Sequence, residues 1–194
     1  MTKLKEGASS PRLPWRSISV IAITVRLILT SRAPIADCDE VYNYWEPLHY
    51  LSFGSGMQTW EYSPAYALRT YFYLLPLHAL SQLLLRLTSI SKPTLFVLLR
   101  STLSLVTSHA EIRFARSLPL GNDDNDWLKL ATLVMSLTSA GFYHAGSSLL
   151  PSATVMQLVM ISYADFFEGR VWRAIAWGAV GVLGSGWPFC AVLW

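Results

Sequence analysis

Six apolar stretches, separated by short polar or turn-forming connections, run through almost the whole of this sequence. Most of them approach the ~20 residues that a helix needs to cross ~30 Å of hydrocarbon. Charged residues make up only 14% of the chain, whereas an ordinary soluble domain carries about 25%. We therefore expect an all-α fold, a polytopic bundle of about six transmembrane helices. The predicted spans are residues 15–33, 65–87, 94–110, 127–144, 149–167 and 171–183.

Four charged residues fall inside these apolar stretches: Arg26, Arg69, Arg100 and Asp165. A charge in the middle of a bilayer costs about 2.5–3.5 kcal/mol, so such residues usually face the bundle interior or extend to the interface. Arg26 and Arg100 lie deep in their spans, and we expect both to contact protein. Intramembrane charges also occur in transporters and channels, which leaves that class of function open, although no inverted repeat supports it.

Basic residues in short connections predict the orientation of the spans, because they favour the cytosolic side. Residues 1–14 are basic and form a predicted cytosolic tail, and Arg86 and Lys92 place the second connection in the cytosol. Residues 34–64, which we call the first loop, then lie on the opposite, lumenal side. Strict alternation gives three further expectations: residues 111–126 and 168–173 are lumenal, and residues 145–148 are cytosolic.

The first loop carries three carboxylates within four residues: Asp37, Asp39 and Glu40. Like charges at this spacing, with partial burial, favour a raised pKa for at least one of them. A carboxylate tuned in this way can act as a general base near neutral pH. Two other interpretations remain, a solvated charge cluster and a site for Mg²⁺ or Mn²⁺.

Aromatic residues crowd the same loop, and they allow two interpretations. Tryptophan and tyrosine form belts at any membrane interface, but flat rings can also line a site for sugar or lipid. Trp45, Leu48 and His49 follow helical spacing, which predicts a short amphipathic interfacial helix. Gly54 and Gly56 should end that helix, and Pro64 should open the next span.

Three ordered motifs of the first loop are specific enough to indicate a family: residues 37–40, residues 43–47, and residues 58–67 followed by Arg69. Together they resemble the alpha-1,2-mannosyltransferases of N-glycan precursor assembly, which belong to glycosyltransferase family twenty-two of the GT-C superfamily. Later pieces also resemble this family: residues 142–145, 150–152 and 186–189. The resemblance runs from near Ala36 to the end of the chain.

The resemblance implies a multi-pass enzyme of the endoplasmic reticulum membrane with its active site on the lumenal side. The donor would be dolichyl-phosphate mannose and the acceptor a lipid-linked oligosaccharide, joined in alpha-1,2 linkage with inversion. Asp39 would be the catalytic base, and Asp37 and Glu40 would hold the acceptor or tune Asp39. The family is thought to work without a metal or another cofactor. The substrate-binding candidates are Trp45, Glu46, Trp60, Glu61, Tyr62, Arg69, Glu111 and Arg113.

A leaving phosphate needs a positive group, and Arg69, Arg113 and Arg116 are the candidates. Glu111 and Arg113 resemble an acidic–basic pair of the family, on the same side of the membrane as the acids; ordinary juxtamembrane charge is the alternative. The chain stops inside apolar sequence, so we expect it to be the N-terminal part of a larger enzyme, inactive alone. A net charge of +3 without a basic run gives no support for nucleic-acid binding. Residues 123–126 are expected to form a solvated loop, not a calcium site.

Overall fold

The computed structural model describes residues 13–120 and 126–185, which form helices and their connections only, as the all-α prediction requires. None of the described helices combines the length and apolar character that crossing a membrane requires. The number of spans therefore stays a prediction. The predicted tail (residues 1–12), the acidic residues 123–125 and the motif at residues 186–189 lie outside the described residues. The helices are α1 (Trp15–Arg32), α2 (Cys38–Glu40), α3 (Glu46–Phe53), α4 (Leu75–Leu87), α5 (Lys92–Ser117), α6 (Asp126–Thr138), α7 (Ala140–Ala145), α8 (Pro151–Phe167) and α9 (Val171–Ser185).

Helices α1 and α5 pack antiparallel and define the two ends of the bundle. Near the C-terminus of α1, the hydroxyl oxygens of Thr30 and Ser104 lie 2.5 Å apart. Near its N-terminus, the Arg116 guanidinium lies 5.7 Å from the ring centre of Trp15. The first loop leaves α1 at one end, which we call the loop end, and α5 finishes at the other, which we call the far end.

The remaining long helices follow this axis. Helix α6 begins at the far end, where the Leu13 backbone N–H donates to the Asp126 carboxylate at 2.9 Å. Helix α8 starts at the loop end, because the backbone N–H of Leu149, just before it, donates to Glu40 at 2.9 Å. It ends beside Arg113, whose guanidinium lies 2.9 Å from the Asp165 carboxylate. Helix α8 is therefore parallel to α5.

The predicted span 65–87 is wrong as a single helix. Residues 63–70 form a turn in which Ala67 adopts a left-handed backbone with φ of 47°. A 3₁₀ turn (Tyr71–Leu74) follows, and only then does α4 begin. Helix α4 has 13 residues, about 20 Å, and packs beside α3 and the first half of α5. Leu77 is buried in the core beside those helices, whereas Leu83 and Leu87 are exposed.

This arrangement overturns the predicted sides of four connections. The start of α5 lies at the loop end, where the Lys92 ammonium is 3.1 Å from His49 Nε2. The turn at residues 145–148 lies there too, since the Ser148 hydroxyl donates to Glu40 at 2.8 Å. The described parts of residues 111–126 and residues 168–173 lie at the far end. Strict alternation failed because the chain between α1 and α5 does not cross the bundle.

The predicted span 127–144 is interrupted at Ser139, which separates α6 from the short helix α7. Helix α7 ends against α1, where Arg26 donates to the Phe142 carbonyl oxygen at 2.8 Å. Gly146 fits this contact because a Cβ there would lie 2.8 Å from Arg26 Nη1, closer than side chains can pack. Helices α1, α8 and α9 keep nearly the predicted bounds, and α5 is longer than predicted.

The two deep arginines contact protein, as predicted. Arg26 is 1% exposed and forms an ion pair with Glu111 inside the bundle. Arg100 donates to the Ala33 carbonyl oxygen at 2.6 Å and to the Ser147 hydroxyl at 2.9 Å. Arg26 thus joins α1 and α5 to α7, and Arg100 joins α5 to the end of α1 and to the α7–α8 turn. A buried guanidinium needs such acceptors for its N–H groups.

Candidate active site

The three acids of the first loop are held by α2, a single helical turn that starts at Asp37. The Asp37 side chain caps this turn and accepts from the Asp39 backbone N–H at 2.8 Å. Aspartate is a favoured N-cap because its carboxylate satisfies an otherwise free backbone donor. The cap fixes the turn and directs the three carboxylates into different surroundings.

Asp39 contacts both a cation and an amide donor. Arg69 Nη2 lies 3.1 Å from its Oδ1 and 3.4 Å from its Oδ2. The side-chain amide of Asn43 also donates to Oδ1. The Asp39 side chain remains 41% exposed. The carboxylate is thus oriented from two sides and still open to a ligand.

Arg69 connects Asp39 to Glu61 of the third motif and to Tyr44 of the second. Its Nε donates to the Glu61 carboxylate at 2.6 Å, and its Nη1 donates to the Tyr44 hydroxyl oxygen. Burial raises the pKa of the Tyr44 phenol to about 12, so this hydroxyl keeps its proton at neutral pH. Arg69 therefore faces the acid cluster and contacts two carboxylates of the first loop.

Glu40 has a different environment and is almost completely buried, with 5% exposure. Its carboxylate accepts from the Trp45 indole N–H at 2.8 Å, the Ser148 hydroxyl at 2.8 Å and the Leu149 backbone N–H at 2.9 Å. These bonds tie α2 to the α7–α8 turn. Glu40 therefore anchors the first loop to this turn.

A cavity of about 390 Å³ lies beside the acids at the loop end. Asp37 and Glu40 line it from α2, Arg100 from α5, and His144 and Ser148 from α7 and the following turn. Asp39 does not line this cavity and contacts Arg69 instead. Two of the three predicted acids therefore face a cavity with a cation and hydroxyl groups, as a site for a polar ligand requires.

The aromatic candidates divide into core and surface residues. Trp45 is 9% exposed and packs against Phe96 with ring centres 4.7 Å apart, which leaves little of its ring for a ligand. Tyr62 donates to the Asn43 carbonyl oxygen at 2.6 Å and stacks on Tyr71. Trp60 is 60% exposed. Of these rings, Trp60 is the one that can meet a ligand or lipid.

The other candidates of the first loop support its shape. Glu46 accepts from the Met57 backbone N–H at 3.1 Å, which closes the segment around Gly54. Gly54 has φ of 71° and ends α3 in the left-handed conformation. The amphipathic helix and its glycine stop were both predicted correctly. Cys38 is exposed and, within the described residues, free.

Glu111 and Arg113 lie away from the acid cluster and have separate ion-pair partners. Glu111 forms its ion pair with Arg26 in the core, whereas Arg113 reaches Asp165 and Glu168 at the far end. Residues two apart on a helix point in different directions. Both lie away from Asp39 because α5 runs from the loop end to the far end.

Several residues of the site were missed as candidates. Asn43 and Thr59 lie in the recognised motifs, but nothing in the sequence distinguished them from their neighbours. Arg100 and His144 reach the cavity from α5 and α7. The burial of a charged residue inside an apolar stretch was the signal for Arg100. A lone histidine offered no comparable signal.

Comparison with known proteins agrees with the resemblance of the motifs. The Alg9-like mannosyltransferase family model matches residues 17–194. The alpha-1,2-mannosyltransferase alg9 of Schizosaccharomyces pombe is 35% identical over 99% of this chain and 33% of its own length. The human alpha-1,2-mannosyltransferase ALG9 is 38% identical over 88% of this chain and 28% of its own length.

The Saccharomyces cerevisiae alpha-1,2-mannosyltransferase ALG9 is 33% identical over 82% of this chain. The chain spans about a third of the length of these relatives. No solved structure matches it significantly. The family match includes every residue of the acid cluster and extends over α1 to α9. On this basis, the chain belongs to the Alg9-like mannosyltransferase family.

Proposed function

We propose that this chain is part of a mannosyltransferase of the endoplasmic reticulum membrane that acts on the lumenal side. It takes mannose from dolichyl-phosphate mannose and adds it in alpha-1,2 linkage to a lipid-linked oligosaccharide during N-glycan precursor assembly. The observation that carries this proposal is the Asp39 carboxylate, oriented by Arg69 and Asn43 yet still open to a ligand.

In the proposed reaction, a hydroxyl oxygen of the acceptor attacks the anomeric carbon of the donor mannose. A new carbon–oxygen bond forms as the bond from that carbon to the phosphate oxygen breaks, and dolichyl phosphate leaves with the electron pair. Asp39 takes the hydroxyl proton, which is general base catalysis. Asp37 binds the acceptor from the cavity, and Glu40 keeps the loop against the α7–α8 turn.

The alternative function as a transporter or channel has less support. Charges that serve an ion pathway line a water-filled cavity. Arg26 is instead paired with Glu111 in the core, and Asp165 is paired with Arg113 and Arg170. Both charges have structural partners, so neither needs a transported ion to explain it.

Lipid-linked oligosaccharides from cells that lack the protein test the proposed reaction. We expect an intermediate that is short of one alpha-1,2-linked mannose to accumulate, since its extension is the step that the protein would perform. Mass spectrometry of the released glycans identifies that intermediate and its branch. An unchanged glycan profile together with a lost solute or ion flux would favour the transporter.

Thiol labelling tests the proposed orientation. We expect Cys38, which is exposed, to react with an impermeant maleimide from the lumenal side only. A Glu168→Cys substitution at the far end should react from the cytosolic side only, because the two positions lie at opposite ends of the bundle. Cys38 is labelled in a Cys190→Ser background, and Glu168→Cys in a background that also carries Cys38→Ser. Both measurements use sealed microsomes, with and without permeabilisation. Labelling of both thiols from one side would contradict the placement of residues 38 and 168 at opposite ends of the bundle.

Chelation tests the expectation that no metal is needed. Mannosyl transfer in permeabilised microsomes should stay within about twofold of its normal rate after EDTA treatment, because the proposed base needs no metal to accept a proton. Initial rates are measured with radiolabelled dolichyl-phosphate mannose. A loss of rate that Mn²⁺ restores would instead assign the paired acids to a metal site.

A further inference from the structure

Asn43, four residues after Asp39 in the first loop, contacts the Asp39 carboxylate. It lies in a π-helical turn (Val41–Trp45) and is only 8% exposed. Such turns insert an extra residue into a helix and occur often at functional sites. Here the wider turn places the Asn43 amide on Asp39 Oδ1, where its Nδ2 donates a hydrogen bond.

The other end of this amide is held by the third motif, residues 58–67. The Thr59 hydroxyl donates to Asn43 Oδ1 at 2.5 Å. An ionised carboxylate only accepts hydrogen bonds, so the amide turns its Nδ2 toward Asp39. The Thr59 hydroxyl then holds the amide in this orientation by donating to Oδ1. The reverse orientation would set a carbonyl oxygen against an ionised acid. Tyr62 also binds the Asn43 backbone carbonyl at 2.6 Å, which keeps the π-helical turn in place.

We infer that Asn43 and Thr59 are positioning residues for the proposed base: Thr59 orients the Asn43 amide, and the amide orients the Asp39 carboxylate. Their contacts leave the two oxygens of Asp39 unequal. Oδ1 accepts from Asn43 and from Arg69 at 3.1 Å, whereas Oδ2 has only a 3.4 Å contact to Arg69 among the described residues. Oδ2 is thus the oxygen that takes the proton of the acceptor hydroxyl. This inference rests on the proposed function.

A set of matched variants tests the inference. Thr59→Val keeps the shape of the side chain but removes the hydroxyl, and Thr59→Ser keeps the hydroxyl but removes the methyl group. Asn43→Ala removes the amide itself. We expect kcat to fall about 10- to 100-fold in Asn43→Ala and about fivefold or more in Thr59→Val, because small misplacements of a catalytic group cost up to ~10²-fold. Thr59→Ser should stay within about twofold of the original kcat.

The KM values for donor and acceptor should change by less than about twofold in all three variants, since a positioning residue acts on the chemical step. Initial rates are measured in microsomes at varied donor and acceptor concentrations and normalised to the amount of protein. Thermal aggregation of each detergent-extracted variant reports on folding. A normal kcat in Thr59→Val, or a Thr59→Ser variant as slow as Thr59→Val, would overturn the inference.

The outcomes also separate this inference from the proposed function. If the full-length enzyme that contains this chain transfers no mannose, the proposed function fails and the inference fails with it. If Asp39→Asn is inactive while Asn43→Ala and Thr59→Val keep normal kcat, the proposed function stands and the positioning roles are wrong. If Asn43→Ala does not fold, the two Thr59 variants still give the answer, because Thr59 is only partly buried.

Discussion

Asp39→Asn lowers mannosyl transfer by about 10²- to 10⁴-fold, the usual contribution of a general base. The amide has nearly the same shape as the carboxylate, and it can still accept the hydrogen bonds of Arg69 or Asn43 with its oxygen. It does not take up the proton of the acceptor hydroxyl. We expect the variant to insert and accumulate normally, so that the loss appears in kcat. The measurement is transfer from radiolabelled dolichyl-phosphate mannose in microsomes, normalised to protein.

Two variants of the same helical turn give this experiment its controls. Cys38→Ser changes the exposed residue between the two aspartates and should leave the rate within about twofold, because its thiol touches no part of the proposed machinery. Asp37→Asn should mainly raise the KM for the acceptor, since Asp37 lines the cavity. If Asp37→Asn abolished transfer while Asp39→Asn kept a normal rate, the base would be Asp37 and the assignment to Asp39 would be wrong.

Glu111→Leu is expected to destabilise the protein by about 3–5 kcal/mol, because it leaves Arg26 as an unpaired charge in the core. Arg26 and Glu111 have side chains that are each 1% exposed. The Arg26 guanidinium would keep only its bond to the Phe142 carbonyl. Reduced steady-state amount and a lower thermal aggregation temperature in detergent extracts are the expected results.

The control uses an acid in a different ion pair. Glu168 is paired with Arg113 at the far end, but its side chain is 36% exposed. Exposed ion pairs contribute about 0–1 kcal/mol, so Glu168→Gln should change the aggregation temperature little. The double variant Arg26→Met with Glu111→Leu should recover most of the loss, since it leaves no buried charge unpaired. Equal effects of Glu111→Leu and Glu168→Gln would show that burial of the pair is unimportant.

The orientation predicted from basic residues shows where one-dimensional reasoning failed. The rule that basic connections lie in the cytosol applies only after the crossings have been counted correctly. Residues 65–87 are apolar enough to suggest a crossing, yet the turn at residues 63–70 and the 3₁₀ turn (Tyr71–Leu74) use nearly the first half of this stretch. Every later connection was then assigned to the wrong end, including the one that carried Glu111 and Arg113.

In the candidate site, the local features were predictable and the long-range contacts were not. Asp37, Asp39 and Glu40 were found together because their spacing is local and their motif is specific to a family. Their different roles were not predictable. Glu40 is a structural acceptor because Ser148 and Leu149, more than a hundred residues away along the chain, donate to it. Arg69 was predicted at the site, and its contact with Glu61 lies within the recognised motif.

The sequence by itself determined the helical class, the acidic first loop, the break at Gly54 and the family, because helix propensity, turn chemistry and short motifs depend on neighbouring residues. It also determined that Arg26 and Arg100 contact protein, since a charge in an apolar environment needs partners. Only the tertiary structure decided which partners they have, which end of the bundle each connection occupies, and that Thr59 reaches Asn43. Those features depend on contacts between distant segments, whose geometry follows from how helices pack and not from the local order of residues.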